Sequence, residues 1–231
     1  MPSIQLGNID IEVILKDIKN VHLSVYPPNG RVRIAAPLHL DLDTIRIYSI
    51  SKLGWIKKQQ AKLKKQKREA PRLFINRESH YFMGKRYMLK VVPVTGKHLV
   101  ILKARTIEMH IHPETTTENR QVLLEVFYRY HLKALSALLI KKWQSTLKVS
   151  VKAFGVKRMS TKWGTCNEKA GRIWLNLELA KKPVEYLEYV IVHELVHLKE
   201  RNHNEKFVAY MDKYLPKWRH LKEELNRLAI V

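Results

Sequence analysis

Cysteine is almost absent from this chain of 231 residues: there is one, Cys166, so no internal disulfide can form. Long apolar runs are also missing. No stretch of 18 apolar residues occurs, so no transmembrane helix and no membrane partner are expected. The first residues, Met1 to Asp10, lack a basic segment followed by an apolar one, so no secretory leader is expected. No G-x-x-x-x-G-K-[ST] loop occurs, which excludes a nucleotide site of that kind. No internal repeat is visible, and no low-complexity segment beyond one lysine-rich stretch. Together these absences fit a reducing compartment, and we expect a cytoplasmic location.

Acidic residues are the next shortage. Asp and Glu number 21 against 43 Lys and Arg, a formal net charge of +22. The excess is uneven: residues 1–50 balance, residues 51–112 carry +13, and residues 113–231 carry +9. Such a charge concentrates polyanions and speeds their association. Nucleic acid through the basic surface, nucleotides and acidic proteins are candidate partners, and a merely solvated basic surface gives the same composition.

Hydrophobic content of 45% is enough for a real core. The pattern predicts an α+β protein with a β-rich N-terminal part, residues 1–112, and a second unit over 113–231. Ile9, Ile11, Val13 and Leu15 alternate with polar positions, as in a half-buried strand. His22–Tyr26 and Arg31–Ala35 flank Pro27-Pro28-Asn29-Gly30, a hairpin signal. Asp41 or Asp43 can cap a helix running over about 43–69, whose second half is almost wholly basic. Strand candidates follow at 81–83, 87–92, 98–102 and 106–111. A long helix is predicted from about Glu118 to Leu147, with Val122, Val126, Leu132 and Leu135 on its core face. Val149 to Phe154 reads as a strand, and Arg158–Cys166 with Gly171–Leu177 as a hairpin.

The richest segment is His193-Glu194-Leu195-Val196-His197. It matches H-E-x-x-H, in which two histidines at i and i+4 stand on one helix face and reach one metal ion. Pro183 and the spacing of Tyr186, Leu187, Val190, Ile191, Leu195 and Leu198 put the motif in an amphipathic helix. Catalytic zinc takes three protein ligands and keeps a fourth position for water. Glu194 is then placed as general base. His203 is the candidate third ligand if a left-handed cap at Asn202 turns it back, with Glu205 as a rival carboxylate. A metzincin has a glycine where this chain has Glu200, and there is no convincing Met-turn, so a different local path is expected.

Trp163-Gly164-Thr165-Cys166, Ile173-Trp174-Leu175-Asn176, Tyr189–His197, Asn202-His203, Phe207 and Pro216-Lys217-Trp218 occur in this order. In these motifs the chain resembles the YgjP-like metallopeptidase family, which is related to SprT-like proteins. The resemblance extends more weakly to the N-terminal strands and Trp55-Ile56. It implies a zincin-like catalytic unit in which the motif helix packs beside a small sheet. It implies one zinc ion on His193, His197 and His203, with Glu194 as catalyst. The family's usual aromatic after Phe207 is Val208 here, which bears on packing and leaves the metal chemistry intact.

In such an arrangement Trp163 and Gly164 would line a cleft, and Arg158 and Lys162 would face substrate oxyanions or phosphates; both cations also read as hairpin surface charge. Cys166 reads as a small buried hydrophobe or as a cleft residue. The expected activity is that of a zinc-dependent metallopeptidase acting on a peptide or protein. Two alternatives stay open: a metal-dependent nucleoside triphosphate pyrophosphatase acting on a nucleotide substrate, and a nucleic-acid-binding protein with a structural metal. An intact Glu194 argues against the last, because a structural site needs no base.

Overall fold

The structure is a computed structural model that describes residues 2–26, 29–65 and 72–228. It comprises two compact units, residues 1–68 and 69–230. The turn predicted at Pro27-Pro28 and the end of the basic helix lie outside the described residues.

The first unit is a mixed sheet with two helices. Strands β1 (Ser3–Leu6), β2 (Ile9–Lys16), β3 (His22–Tyr26) and β4 (Arg31–Pro37) lie in the order β1-β2-β4-β3. The β2–β4 pair is parallel and the two outer pairs are antiparallel. Alternation puts Ile9, Ile11, Val13, Val32, Ile34 and Ala36 on the buried face, where Ile4, Ile45 and Ile56 join them. Strand β1 carries too little pattern to be read from sequence. Asp41 caps helix α1 (Leu42–Ser51) by accepting a hydrogen bond from the Thr44 N–H at 2.7 Å. The predicted single helix is in fact two. Lys52 closes α1, and α2 begins anew as Leu53–Lys65.

The second unit holds a second four-stranded sheet, formed by β5 (Ser79–Phe82), β6 (Lys85–Pro93), β7 (Leu99–Leu102) and β8 (Thr106–Ile111). Its order, β5-β6-β8-β7, and its strand senses repeat those of the first sheet. The buried pairs Val32/Ile107, Ile34/Met109 and Ala36/Ile111 and the helix caps Asp41/Thr116 all fall at one constant spacing. The chain therefore contains a structural repeat that the sequence hides. The two copies share the alternation that a sheet face requires and few residue identities.

The boundary between units falls after residue 68 and not at 112. Strands β5 to β8 share one core with the long helix α3 (Thr117–Leu147), through Leu89, Ile107, Met109, Leu124, Phe127 and Leu132. Val122 and Val126 are not on the core face, being 56% and 54% exposed. Both sides of α3 carry apolar residues, so the helical period alone does not select the buried one.

A three-stranded sheet completes the unit. Strands β9 (Ala153–Lys157), β10 (Gly164–Asn167) and β11 (Arg172–Asn176) lie in the order β10-β11-β9. Strand β10 is antiparallel to β11, and β9 is parallel to it. The expected strand over 149–154 starts only at Ala153, because Lys148 takes a left-handed conformation that caps α3 and turns the chain. A 3₁₀ turn (Leu177–Lys181) leads to α4 (Val184–Val196), followed by α5 (Glu205–Tyr214) and α6 (Trp218–Arg227). Among the described residues no helix is long and apolar enough to cross a membrane.

Candidate metal centre

The N-terminal half of helix α4 is fixed by its neighbours. Its first turn follows Pro183, whose ring leaves no room for a side chain at residue 84. A Cβ on Gly84 would stand 2.7 Å from Pro183 Cγ, and Gly84 has φ of +77°. The Met83 N–H donates to the Ala180 carbonyl at 2.8 Å, which docks the β5–β6 turn on the approach to α4. Glu188 accepts from Trp143 Nε1 at 2.7 Å and Lys142 Nζ at 2.8 Å, tying α4 to α3. Tyr186 donates its hydroxyl to Glu224 at 2.6 Å, tying α4 to α6. Tyr186, Leu187, Val190, Ile191 and Leu195 are buried, as the helical spacing predicts.

The last turn of α4 presents His193 and His197, and the chain then returns His203 to them. The turn needs no left-handed residue at Asn202. Instead the Leu198, Lys199 and Glu200 N–H groups bond back to Leu195 and Val196, and Asn204 caps α5 by accepting from the Phe207 N–H at 3.0 Å. Among the described residues His193, His197 and His203 form the one convergent group of metal-ligating side chains, with one ligand atom of each within 4.8 Å of the others. Glu205, exposed at the start of α5, is not part of it. The buried Phe207 ring packs against all three imidazoles at centroid distances of 4.6–5.0 Å. Val208, beside it, is partly buried against the same core.

These residues fit a metal ion. Nε2 of His193 and Nε2 of His203 stand 3.1 Å apart. Two tetrahedral ligands at zinc–nitrogen distances stand roughly 3.3–3.4 Å apart. His197 donates its Nδ1–H to the Glu200 carbonyl at 3.2 Å, which leaves its Nε2 lone pair bare. Burial, and then the neighbouring His197, His203 and Lys222, push the pKa of His193 down to about 3. His203 is also lowered, by burial first and then His197 and Lys222. Neutral imidazoles are the form that binds zinc. His193 Nδ1 is buried without a hydrogen-bond partner, so on that side the ring is held by packing.

Glu194 faces the other way from the solvent and is 5% exposed. Burial raises its pKa to about 8; Lys162 works against the rise and Glu168 adds to it. Strand β10 covers it closely. A Cβ on Gly164 would stand 2.6 Å from Glu194 Oε1 and 2.7 Å from Val190 Cγ1. Gly164→Ala should therefore displace the Glu194 carboxyl. We expect a loss of about 1–3 kcal/mol in stability and a lower kcat with metal still bound. Thermal melts, metal content and peptide turnover check this, and unaltered turnover would show that the contact does not matter.

The raised Glu194 pKa has a consequence for the metal-free protein. The folded state favours the protonated carboxyl, so its contribution is full below the unfolded pKa near 4.5 and is lost as pH rises through about 8. Glu194→Gln should remove that loss. Denaturant melts with a chelator present should show the variant gaining on wild type from pH 5 to pH 9, by at most about 4–5 kcal/mol. A pH-independent difference would contradict the burial argument.

The loop before β10 is shaped by a residue to which the sequence gives no evident role. Asn176 is fully buried. Its Nδ2 donates to the Met159 and Lys162 carbonyls, both at 2.8 Å, and its backbone N–H donates to the Trp163 carbonyl at 2.9 Å. Trp163 is partly buried against the core and Gly164 touches Glu194. Arg158 is paired with Glu125 at 3.0 Å and lies 3.9 Å from Glu178. Lys162 is exposed. Cys166 is half-buried, and burial, with Glu194 and Glu168, pushes its thiol up to about 12, so it is no ready thiolate.

A paired-histidine helix, a third histidine and a buried glutamate under a strand define the class of metal-dependent hydrolases. Comparison with known families makes this specific. The YgjP-like metallopeptidase domain matches residues 19–228, and the chain belongs to that family. Solved structures that resemble it include two metallopeptidase zymogens. Abylysin of Pyrococcus abyssi is 18% identical, with 42% of this chain and 99% of that one covered at a TM-score of 0.38. Jannalysin of Methanocaldococcus jannaschii is 23% identical, with 39% and 92% covered at a TM-score of 0.35. No curated protein matches the chain.

Proposed function

We propose that this protein is a zinc-dependent metallopeptidase in which His193, His197 and His203 hold one zinc ion and Glu194 is the general base. The observation that carries the reading is the convergence of three imidazoles at the end of the helix that carries a buried carboxyl, under strand β10. Family membership supports the peptide bond as the target. So does the position of β10 at the edge of its sheet, where an extended peptide can add as a further strand.

A zinc ion held by His193, His197 and His203 would supply a water of near-neutral pKa and a Lewis acid for the scissile carbonyl. Glu194 takes a proton from the attacking water while the water oxygen bonds to the carbonyl carbon. It then gives the proton to the nitrogen as the C–N bond breaks. Burial strengthens its hold on the proton, and Lys162 favours its ionised form, so the carboxyl is poised between the two tasks.

The net charge of +22 favours a second reading, hydrolysis of a nucleoside triphosphate by the same groups. The exposed lysines of α2, Lys57, Lys58, Lys62 and Lys64, would add salt-dependent nucleic-acid binding to either version. The test is a side-by-side assay of casein-like peptides and triphosphates with wild type and Glu194→Gln. Peptide cleavage that depends on Glu194 is the expected outcome; pyrophosphate release that depends on it, without peptide cleavage, overturns the proposal.

A further inference from the structure

The three-stranded sheet has two unlike faces. On the inner face Gly164 meets Glu194, and Val156, Ile173 and Leu175 are buried in the core. Alternation turns the intervening residues outward. The pairing register sets Thr165, Trp174 and Gly155 side by side in one row across the outer face, and Asn167, Arg172 and Ala153 in the next. The Trp174 indole lies flat on the Gly155 backbone. A Cβ on Gly155 would stand 2.4 Å from Trp174 Cζ3, 2.7 Å from Cε3 and 3.0 Å from Cη2. Trp174 is partly exposed and, unlike Trp143, Trp163 and Trp218, joins neither hydrophobic core. The Lys157 ammonium lies over its ring, 4.7 Å from the centroid. Lys157 and Arg172 are both exposed, and neither makes an ion pair among the described residues. Neither row holds an acidic residue; Glu168 stands in the turn beyond them.

A flat aromatic face flanked by unpaired cations fits a flat ring joined to negative charge, which is a nucleobase on its phosphate backbone. The indole is already held in the plane a base would stack on, so little ordering is left for binding to pay. Spacing favours a strand over a lone nucleotide. Lys157 pairs with Asn176 and Ala153 with Arg172, so the two cations stand four residues apart in register, roughly 13 Å along the strands. Trp174 falls midway between them. A base on the indole then has a cation on either side, where the backbone of its own strand passes. A duplex keeps its bases stacked on one another and offers none to the ring. We propose that the outer face of this sheet binds single-stranded nucleic acid, with one base stacked on Trp174 and phosphates on Lys157 and Arg172. Stacking and charge do not read the sugar, so DNA and RNA strands of one sequence bind alike. The inference does not rest on the metallopeptidase reading, because Glu194 lies under the inner face. It is also separate from the lysines of α2, which belong to the other unit.

The experiment uses the full-length protein and a fluorescein-labelled single strand of about 12 nucleotides, as DNA and as RNA, beside the DNA duplex of the same sequence. Fluorescence anisotropy over a salt series reads affinity and its salt slope. Wild type should bind both single strands at least about tenfold tighter than the duplex. Trp174→Ala should weaken the single strands about tenfold and leave the slope as it was, while Trp174→Phe, which keeps a flat ring, should recover most of the loss. Lys157→Gln with Arg172→Gln should make the slope shallower by about 0.7 for each charge removed. Circular dichroism separates a lost contact from a lost fold. A strand carrying 5-iodouracil, photo-cross-linked to wild type, gives a readout that needs no variant: its adduct should map to Trp174. Equal affinity for duplex and single strand, displacement of the strand by poly-glutamate at equal charge, or adducts on α2 alone overturns the proposal. So does a single-strand affinity that Trp174→Ala leaves unaltered.

Discussion

His193→Ala should empty the metal centre. Zinc bound to purified wild type is expected at about one ion per chain, and the variant should retain close to none after exchange into metal-free buffer. The argument is geometric. His193 and His203 present Nε2 atoms 3.1 Å apart, and His197 faces them from the same helix end. Removing His193 leaves two imidazoles from the two ends of a turn, one of them exposed. It also leaves a gap against Phe207 and Tyr189, whose rings lie 5.0 and 5.9 Å from that of His193. The loss should appear in stability too. Zinc at about a thousand times its Kd stabilises the folded state by about 4 kcal/mol, so a chelator should lower the wild-type Tm and leave that of the variant nearly unmoved. Inductively coupled plasma analysis and a pair of melts read both effects. Stoichiometric zinc on the variant would place the metal elsewhere.

Glu194→Gln should separate metal binding from chemistry. The side chain keeps its volume and cannot take a proton, so zinc content should match wild type while kcat falls by about 10²–10⁴-fold. The environment supports the size of the effect. Glu194 is buried on α4, next in sequence to His193, and a Cβ on Gly164 would stand 2.6 Å from its Oε1 and 2.9 Å from its Cγ. A variant that kept most of its activity would reassign the base.

The centre was largely legible in the sequence because its signals are local. His193 and His197 need only the helical period, and the apolar spacing from Tyr186 to Leu195 supplied the helix. His203 was legible by spacing, though its return is made by helical back-bonding and the Asn204 cap, not by a left-handed Asn202. What escaped depends on contacts across the chain. Asn176 is one polar residue ending a strand until its amide is seen holding the Met159 and Lys162 carbonyls. The exposed Val122 and Val126 misled because α3 is apolar on more than one side. The repeated sheet escaped because a buried face asks only for alternation, which Val32-Arg33-Ile34 and Ile107-Glu108-Met109 meet with different residues.

Product analysis by mass spectrometry tests the central claim most directly. Zinc-loaded wild type is incubated with a mixed peptide library and, separately, with nucleoside triphosphates, each beside Glu194→Gln. Water added across peptide bonds by wild type alone, with the triphosphates intact, is the predicted result. Intact peptides beside Glu194-dependent release of pyrophosphate would contradict it.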